Sequence, residues 1–146
     1  MPRALVDTNV WVSGVLNPTG PPARVFLAFR AGLFLPVVSS PLLNEIHEVL
    51  HRPRIRPRWR MTPADVDELL ALVEDRSVMA FPTGEVHLCR DPDDDLIIES
   101  ALLGKARYLV SRDDDLKRDW DLIGHLEQRG VEIISVARFL GRLSAL

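Results

Sequence analysis

Cys89 is the only cysteine in the chain, so an internal disulfide and a cysteine-rich zinc site are both excluded. A reducing cytoplasm is the compartment this composition predicts. No apolar run approaches the roughly 20 residues that a membrane span requires. The opening "MPRALVDTNV" already reads as a strand and carries no signal-peptide hydrophobic region, so a soluble, unprocessed protein with no membrane contact is expected. Basic excess is missing too: the formal net charge is −3, so any nucleic-acid binding has to rest on a local patch. The four histidines, His47, His51, His87 and His125, share no metal-ligand spacing, and His47 is expected on an exposed helix face. Repeats, low-complexity tracts and internal linkers are absent. What remains is 146 residues, 47% of them hydrophobic, enough for one globular domain spanning 1–146 with a sizeable core.

Ala4, Leu5 and Val6 form a short apolar run ending at Asp7, the pattern of a strand buried on both faces of a parallel sheet. "NPTGPP" (17–22) predicts a loop, "ARVFLAFRAG" a helix closed by Gly32, and "LFLPVV" a second strand. Trp11, Phe26 and Phe29 are candidate core. Ser39 or Ser40 caps a predicted helix that begins at Pro41 and ends by Pro53, carrying Leu42, Leu43, Ile46, Val49 and Leu50 at helical spacing. Thr62 and Pro63 open another helix. "CRDPDDDLIIES" (89–100) opens a helix running to about Gly104. "RYLVS" and "VEIISV" predict further strands, and "ARFLGRLSAL" a final helix. Strands alternating with helices predict an α/β domain around a mostly parallel sheet.

Asp91, Asp93, Asp94, Asp95 and Glu99 crowd the start of the helix at 92, and like charges at that density repel. With Asp91 as cap, a projection at about 100° per residue gathers Ile97, Ile98, Ala101 and Leu102 on one face, with Asp94 within about 10° of its centre. Asp93 and Asp95 fall on the flanks and Glu99 farther round, which predicts that Asp91, Asp93 and Asp95 stabilise the helix N-terminus and face water. Asp94 is the exception, because an ionised carboxylate on a buried face costs several kcal/mol unless compensated. On the helix at Pro41, Glu45 borders the apolar stripe, whereas Glu48 points outward. Asp7 and Asp113 each follow an apolar strand, at the strand ends where open α/β sheets place ligands. Each acid alone reads equally well as a cap or turn residue. Together, four convergent carboxylates would form an oxygen-only set suited to Mg2+ or Mn2+.

These residues match a known family. "LVDTNVWVSGVL", "SSPLLNEIHEVL", "CRDPDDDLIIESALLGKARYLVSRDDDL" and "VEIISVARFL" resemble, in order, the PIN domain. The likeness is to the branch of toxin components of toxin–antitoxin pairs related to VapC-like ribonucleases. The resemblance implies a Rossmann-like α/β/α sandwich and a metal-dependent endonuclease with acidic ligands at Asp7, Glu45, Asp94 and Asp113, and Asp115 as an additional acid. It implies one or two bound ions, an RNA substrate, a small antitoxin partner and a homodimer. Thr8 and Asn9 match the polar residues after the first aspartate, Asn9 either supporting the ligand shell or capping the next helix. Arg112 stands where this branch usually has glycine, a cation able to pair with an RNA phosphate or to lower metal affinity.

Arg52, Arg54, Arg56, Arg58 and Arg60 alternate beside Trp59 in "RPRIRPRWR", a pattern that favours RNA contact, by phosphate tracking with base stacking, over a solvated loop. Three other functions compete: an aspartate-nucleophile phosphatase, disfavoured because Asn9 stands where its second aspartate would be; a housekeeping RNA-processing nuclease; and a non-catalytic RNA-binding module.

Overall fold

The computed structural model describes residues 1–112 and 114–145, and only the backbone of Asp114 and Asp115. Five strands form one parallel sheet: β1 (Arg3–Val6), β2 (Leu35–Ser39), β3 (Val78–Ala80), β4 (Tyr108–Val110) and β5 (Glu132–Ile134), in the order β3-β2-β1-β4-β5. β1 is central, paired with β2 through Arg3 and Leu35 and with β4 through Leu5 and Leu109. Its residues Ala4, Leu5 and Val6 are buried, which is why they read as a continuous apolar run.

The helices are α1 (Thr8–Leu16), α2 (Pro21–Arg30), α3 (Ser40–Leu50), α4 (Pro63–Asp75), α5 (Pro92–Leu103), α6 (Asp114–Arg118), α7 (Trp120–Gln128) and α8 (Val136–Ser144). β1, β2 and β3 advance in one direction, and the chain then crosses back to β4 and β5. Right-handed crossovers therefore put α1 to α4 on one face and α5 to α7 on the other. The packing follows: α1 touches α2 and α3, α2 touches α8, α5 lies on β1, β2 and β3, and α6 and α7 pack on β5. The result is the expected α/β/α sandwich.

Local chemistry sets most boundaries. Ser39 Oγ accepts the Leu42 amide and Thr62 Oγ1 the Asp65 amide, fixing the starts of α3 and α4. Gly32, at φ +73°, turns the chain out of α2 as predicted. Trp11 and Phe26 stack at 5.3 Å in the core, and the Trp11 indole N–H donates to the Val6 carbonyl at 2.9 Å, clamping α1 to the end of β1. Two details differ from the sequence reading. Pro21 starts α2 inside the predicted loop, because proline is already set for a first helical position. Between Asp113 and Val131, where spacing predicts nothing, α7 forms with only Leu122 and Leu126 buried, its start held by the Asp119 carboxylate on the Leu122 amide. Two apolar contacts are too few to show as a period.

Among the described residues no helix is long and apolar enough to cross a membrane. At the end of α5, a Cβ added to Gly104 would collide with buried Val37, whereas one added to Gly124 in α7 meets open space. Gly104→Ala should therefore lower stability by about 1–3 kcal/mol through overpacking. Gly124→Ala should raise it by about 0.5–1 kcal/mol through helix propensity. Chemical denaturation of the two variants checks both signs.

Candidate active site

The carboxyl ends of β1 and β4 lie side by side, the Asp7 amide donating to the Val110 carbonyl at 2.9 Å. From here the chain leaves β1 toward β2 and leaves β4 toward β5, so this is the switch point at which open α/β sheets place ligands. Asp7 is half-buried there. Its Oδ1 accepts the Thr8 amide at 2.8 Å, capping α1, and its Oδ2 accepts the Ser111 hydroxyl at 3.2 Å.

Glu45, half-buried on α3, enters the same field. Its carboxyl is raised above the ordinary glutamate value, first by burial and then by the charges of Asp7, Asp93 and Glu48. The nearby Thr8 hydroxyl works in the opposite direction, and Arg52, just past α3, is drawn to the same carboxylate. That hydroxyl falls short of a well-formed hydrogen bond: Thr8 is 1% exposed and its Oγ1 is buried with no partner. Glu48, by contrast, is exposed as predicted. It accepts two hydrogen bonds from Arg52, at 3.1 and 2.9 Å, which hold its carboxyl below the ordinary value.

The aspartates of α5 divide differently from the sequence projection. Asp91 caps the helix by accepting the Asp93 amide, and Asp93 is exposed, both as expected. Asp94 is half-buried in a polar cleft of about 640 Å³ shared with Cys89, Arg118 and Asp119. Asp95 and Glu99, expected on the solvated side, are instead 7% and 5% exposed. The projection counted only the helix's own apolar residues, and the segment 81–90 covers the remaining face. Asp95 Oδ1 accepts the Leu88 and Cys89 amides at 2.8 and 2.7 Å. Glu99 accepts the Thr83 amide at 2.7 Å, the Thr83 hydroxyl at 3.0 Å and the Gly84 amide at 2.9 Å. These bonds, the Thr83 amide foremost, hold the Glu99 carboxyl below its ordinary value. The Cys89 thiol is pushed up to about 12, chiefly by burial and then by Asp95 and Asp94, so it is no nucleophile at neutral pH.

Asp7, Glu45 and Asp93 therefore share one electrostatic neighbourhood, whereas Asp94, the next residue of α5, lines the other cleft. Asn9 is exposed. Asp113 lies outside the described residues, as does the side chain of Asp115. Among the described residues, no group of three or more His, Cys, Asp or Glu is arranged to hold an ion.

The arginine segment forms a loop and a short 3-10 turn, Arg56–Arg58. Arg52 is bound to Glu48. Trp59 is half-buried, its indole N–H donating to the Leu50 carbonyl at 3.0 Å, Arg56 lying 3.9 Å over its ring and His51 meeting it edge-on. Arg54 and Arg60 are exposed, while Arg58 lines a second cleft together with Arg112. Arg112 donates to Ser13 Oγ at 2.7 Å. Sequence reasoning missed Ser111, Ser13 and Lys117, small or solitary residues that only the fold brings to this edge.

Comparison with known proteins bears on this geometry. Residues 3–115 match the family described as PIN domain. The chain is also 27% identical over 114 residues, 78% of its length, to an uncharacterized protein of Methanocaldococcus jannaschii, of which the match covers 72%.

Because Glu45 is held above its ordinary value, ionising it costs folding free energy. The penalty is complete above the raised value and vanishes as pH falls into the ordinary glutamate range. Glu45→Gln should accordingly raise the melting temperature of the metal-free protein at pH 7, and the gain should fade on acidification. A pH series of thermal melts measures this.

Proposed function

Because the chain belongs to the PIN domain family, whose members are generally nucleases, we propose that it is a metal-dependent endoribonuclease acting as the toxin of a toxin–antitoxin pair. The observation that best supports this reading is the under-compensated acidic pocket: Glu45 raised by burial and by Asp7 and Asp93, beside a buried Thr8 hydroxyl with no partner. Like charges crowded around an orphaned oxygen suit a hard divalent cation, which prefers carboxylate, hydroxyl and water. Asp7, Glu45 and Asp94 would hold Mg2+ or Mn2+, one ion or two, with Asp113 and Asp115 as further acids and Thr8 and Asn9 in support. Such an ion supplies charge neutralisation on the phosphoryl oxygens and lowers the pKa of a bound water.

The chain's own groups do the rest. Asp7, fixed by the Thr8 amide and Ser111, keeps its carboxylate oriented without help from substrate. Glu45, half-buried on α3 beside Asp7, would hold the ion or orient the attacking water. Exposed arginines of the 52–60 segment and Arg112 supply the phosphate contacts that a net-negative protein needs to hold RNA. Trp59 enters this reading as a support for Arg56 and the end of α3, its ring being engaged inside the protein. A homodimer working in the reducing cytoplasm completes the proposal.

Pooled RNA should be cut with Mg2+ or Mn2+ and left intact with EDTA, and product mapping would then give the preferred site. At Mn2+ a hundredfold above its Kd, binding should add about 2.7 kcal/mol of stability. Asp94→Asn should abolish most of that gain and nearly all cleavage, while Asp93→Asn keeps both. The reverse pattern would transfer the ligand to Asp93, the carboxylate already in the field of Glu45. Failure of the wild type to cleave any RNA would favour a non-catalytic binding module.

Expression of the wild-type chain in its native host should arrest growth, and a small cognate antitoxin that places a basic side chain among the carboxylates should relieve the arrest. Normal growth with abundant folded protein would favour a housekeeping RNA-processing nuclease.

A further inference from the structure

On the other side of Ser111 from the acids lies a cleft of about 690 Å³ between α1, the start of α2, the 3-10 turn and the start of α8. Its lining includes Ser13, Arg58, Ser111, Arg112, Lys117 and Ser135, and no acidic side chain among the described residues. The described lining is mixed at the cleft of Asp94, where Arg90 and Arg118 stand with Asp91, Asp94 and Asp119, and at the hollow of Glu45, where Arg52 stands with Glu45, Glu48 and Asp93. Arg58 comes from the 3-10 turn, and Arg112 and Lys117 from the stretch just after β4, two parts of the chain that the fold brings together. Arg112 is exposed and lines the cleft, and its guanidinium is steadied by Ser13 Oγ at 2.7 Å. The first turn of α8, capped by Ser135, contributes Val136 and Ala137 to the wall and brings the positive end of its dipole to the same space. Ser111 belongs to both places: it lines the cleft, and its hydroxyl donates to Asp7.

We propose that this cleft is the subsite for the substrate backbone next to the scissile bond, holding phosphates of single-stranded RNA, with Arg112 and Arg58 as positioning residues. The inference rests on the ribonuclease reading above. Arg112 directly follows Ser111, whose hydroxyl donates to Asp7, so a phosphate seated against Arg112 would direct the neighbouring phosphodiester toward Asp7. An arginine fork with one N–H anchored retains donors for a phosphate while losing little side-chain freedom on binding. The subsite also divides the arginine segment by function. Arg52 is committed to Glu48 and Arg56 to Trp59, whereas Arg58 reaches the cleft.

The test uses the full chain carrying Asp7→Asn, so that RNA survives, with a short fluorescein-labelled single-stranded RNA of mixed sequence as probe. Affinity is measured across a salt series for this parent and for Arg112→Gln, Arg58→Gln and Arg30→Gln added to it. Arg30 is exposed at the far end of α2 and serves as the control. Each cleft variant is expected to weaken binding several-fold and to lower the salt slope by roughly 0.7 per lost phosphate contact. Arg30→Gln should match the parent. In the cleavage-competent chain, Arg112→Gln and Arg58→Gln should raise KM and leave kcat near wild type. Melting temperatures confirm folding, and the two variants on separate elements keep the test valid if one is unstable. Parental affinity and slope in both cleft variants would overturn the subsite and leave the ribonuclease reading standing. A parent that binds no RNA, with a wild type that cuts none, would sink the ribonuclease reading and the subsite with it.

Discussion

A carboxylate withdrawn from water must find donors or a cation, or else give up its charge, and this one constraint organises the molecule around α5 and the end of β1. Asp95 and Glu99 are answered by backbone amides and a hydroxyl. Asp7 is answered by the Thr8 amide and Ser111. Glu45 has no comparable answer, and its raised pKa records the shortfall. Asp95 and Glu99 fasten the scaffold, and Glu45 is left with the least compensation.

The sheet decides where these groups meet. With β1 central and β4 beside it, the residues just past Val6 and Val110 are neighbours although about a hundred positions separate them in sequence. Ser111 sits on that seam: its hydroxyl donates to Asp7, and it lines the cleft that holds Arg58, Arg112 and Lys117.

Much of this was legible. Ala4 to Val6 ending in Asp7, the Thr62–Pro63 start, Gly32 and the border position of Glu45 all follow from local rules, because propensity, capping and apolar period agree at those places. The burial of Asp95 and Glu99 was not legible, since a helical projection sees one helix and knows nothing of a covering loop whose amides come from residues 83 to 89. Trp59 misled for a related reason. An aromatic among arginines suits base stacking, but whether its ring is free depends on a carbonyl nine positions earlier, at Leu50. The basic cleft was invisible as a unit because Arg58, Arg112 and Lys117 share neither a motif nor a period.

The segment from 81 to 90 gives four of its backbone amides, those of Thr83, Gly84, Leu88 and Cys89, to two side chains four residues apart on α5. A strand is zipped by its neighbour along its length, whereas this stretch is buttoned at two points, and both buttons belong to one helix. In hydrogen exchange the amides of this stretch belong with the segments that open locally, at a free energy below that of the core strands. Evolution can therefore recut this stretch in length or composition at small risk to the sandwich, so long as the two carboxylates keep something to hold.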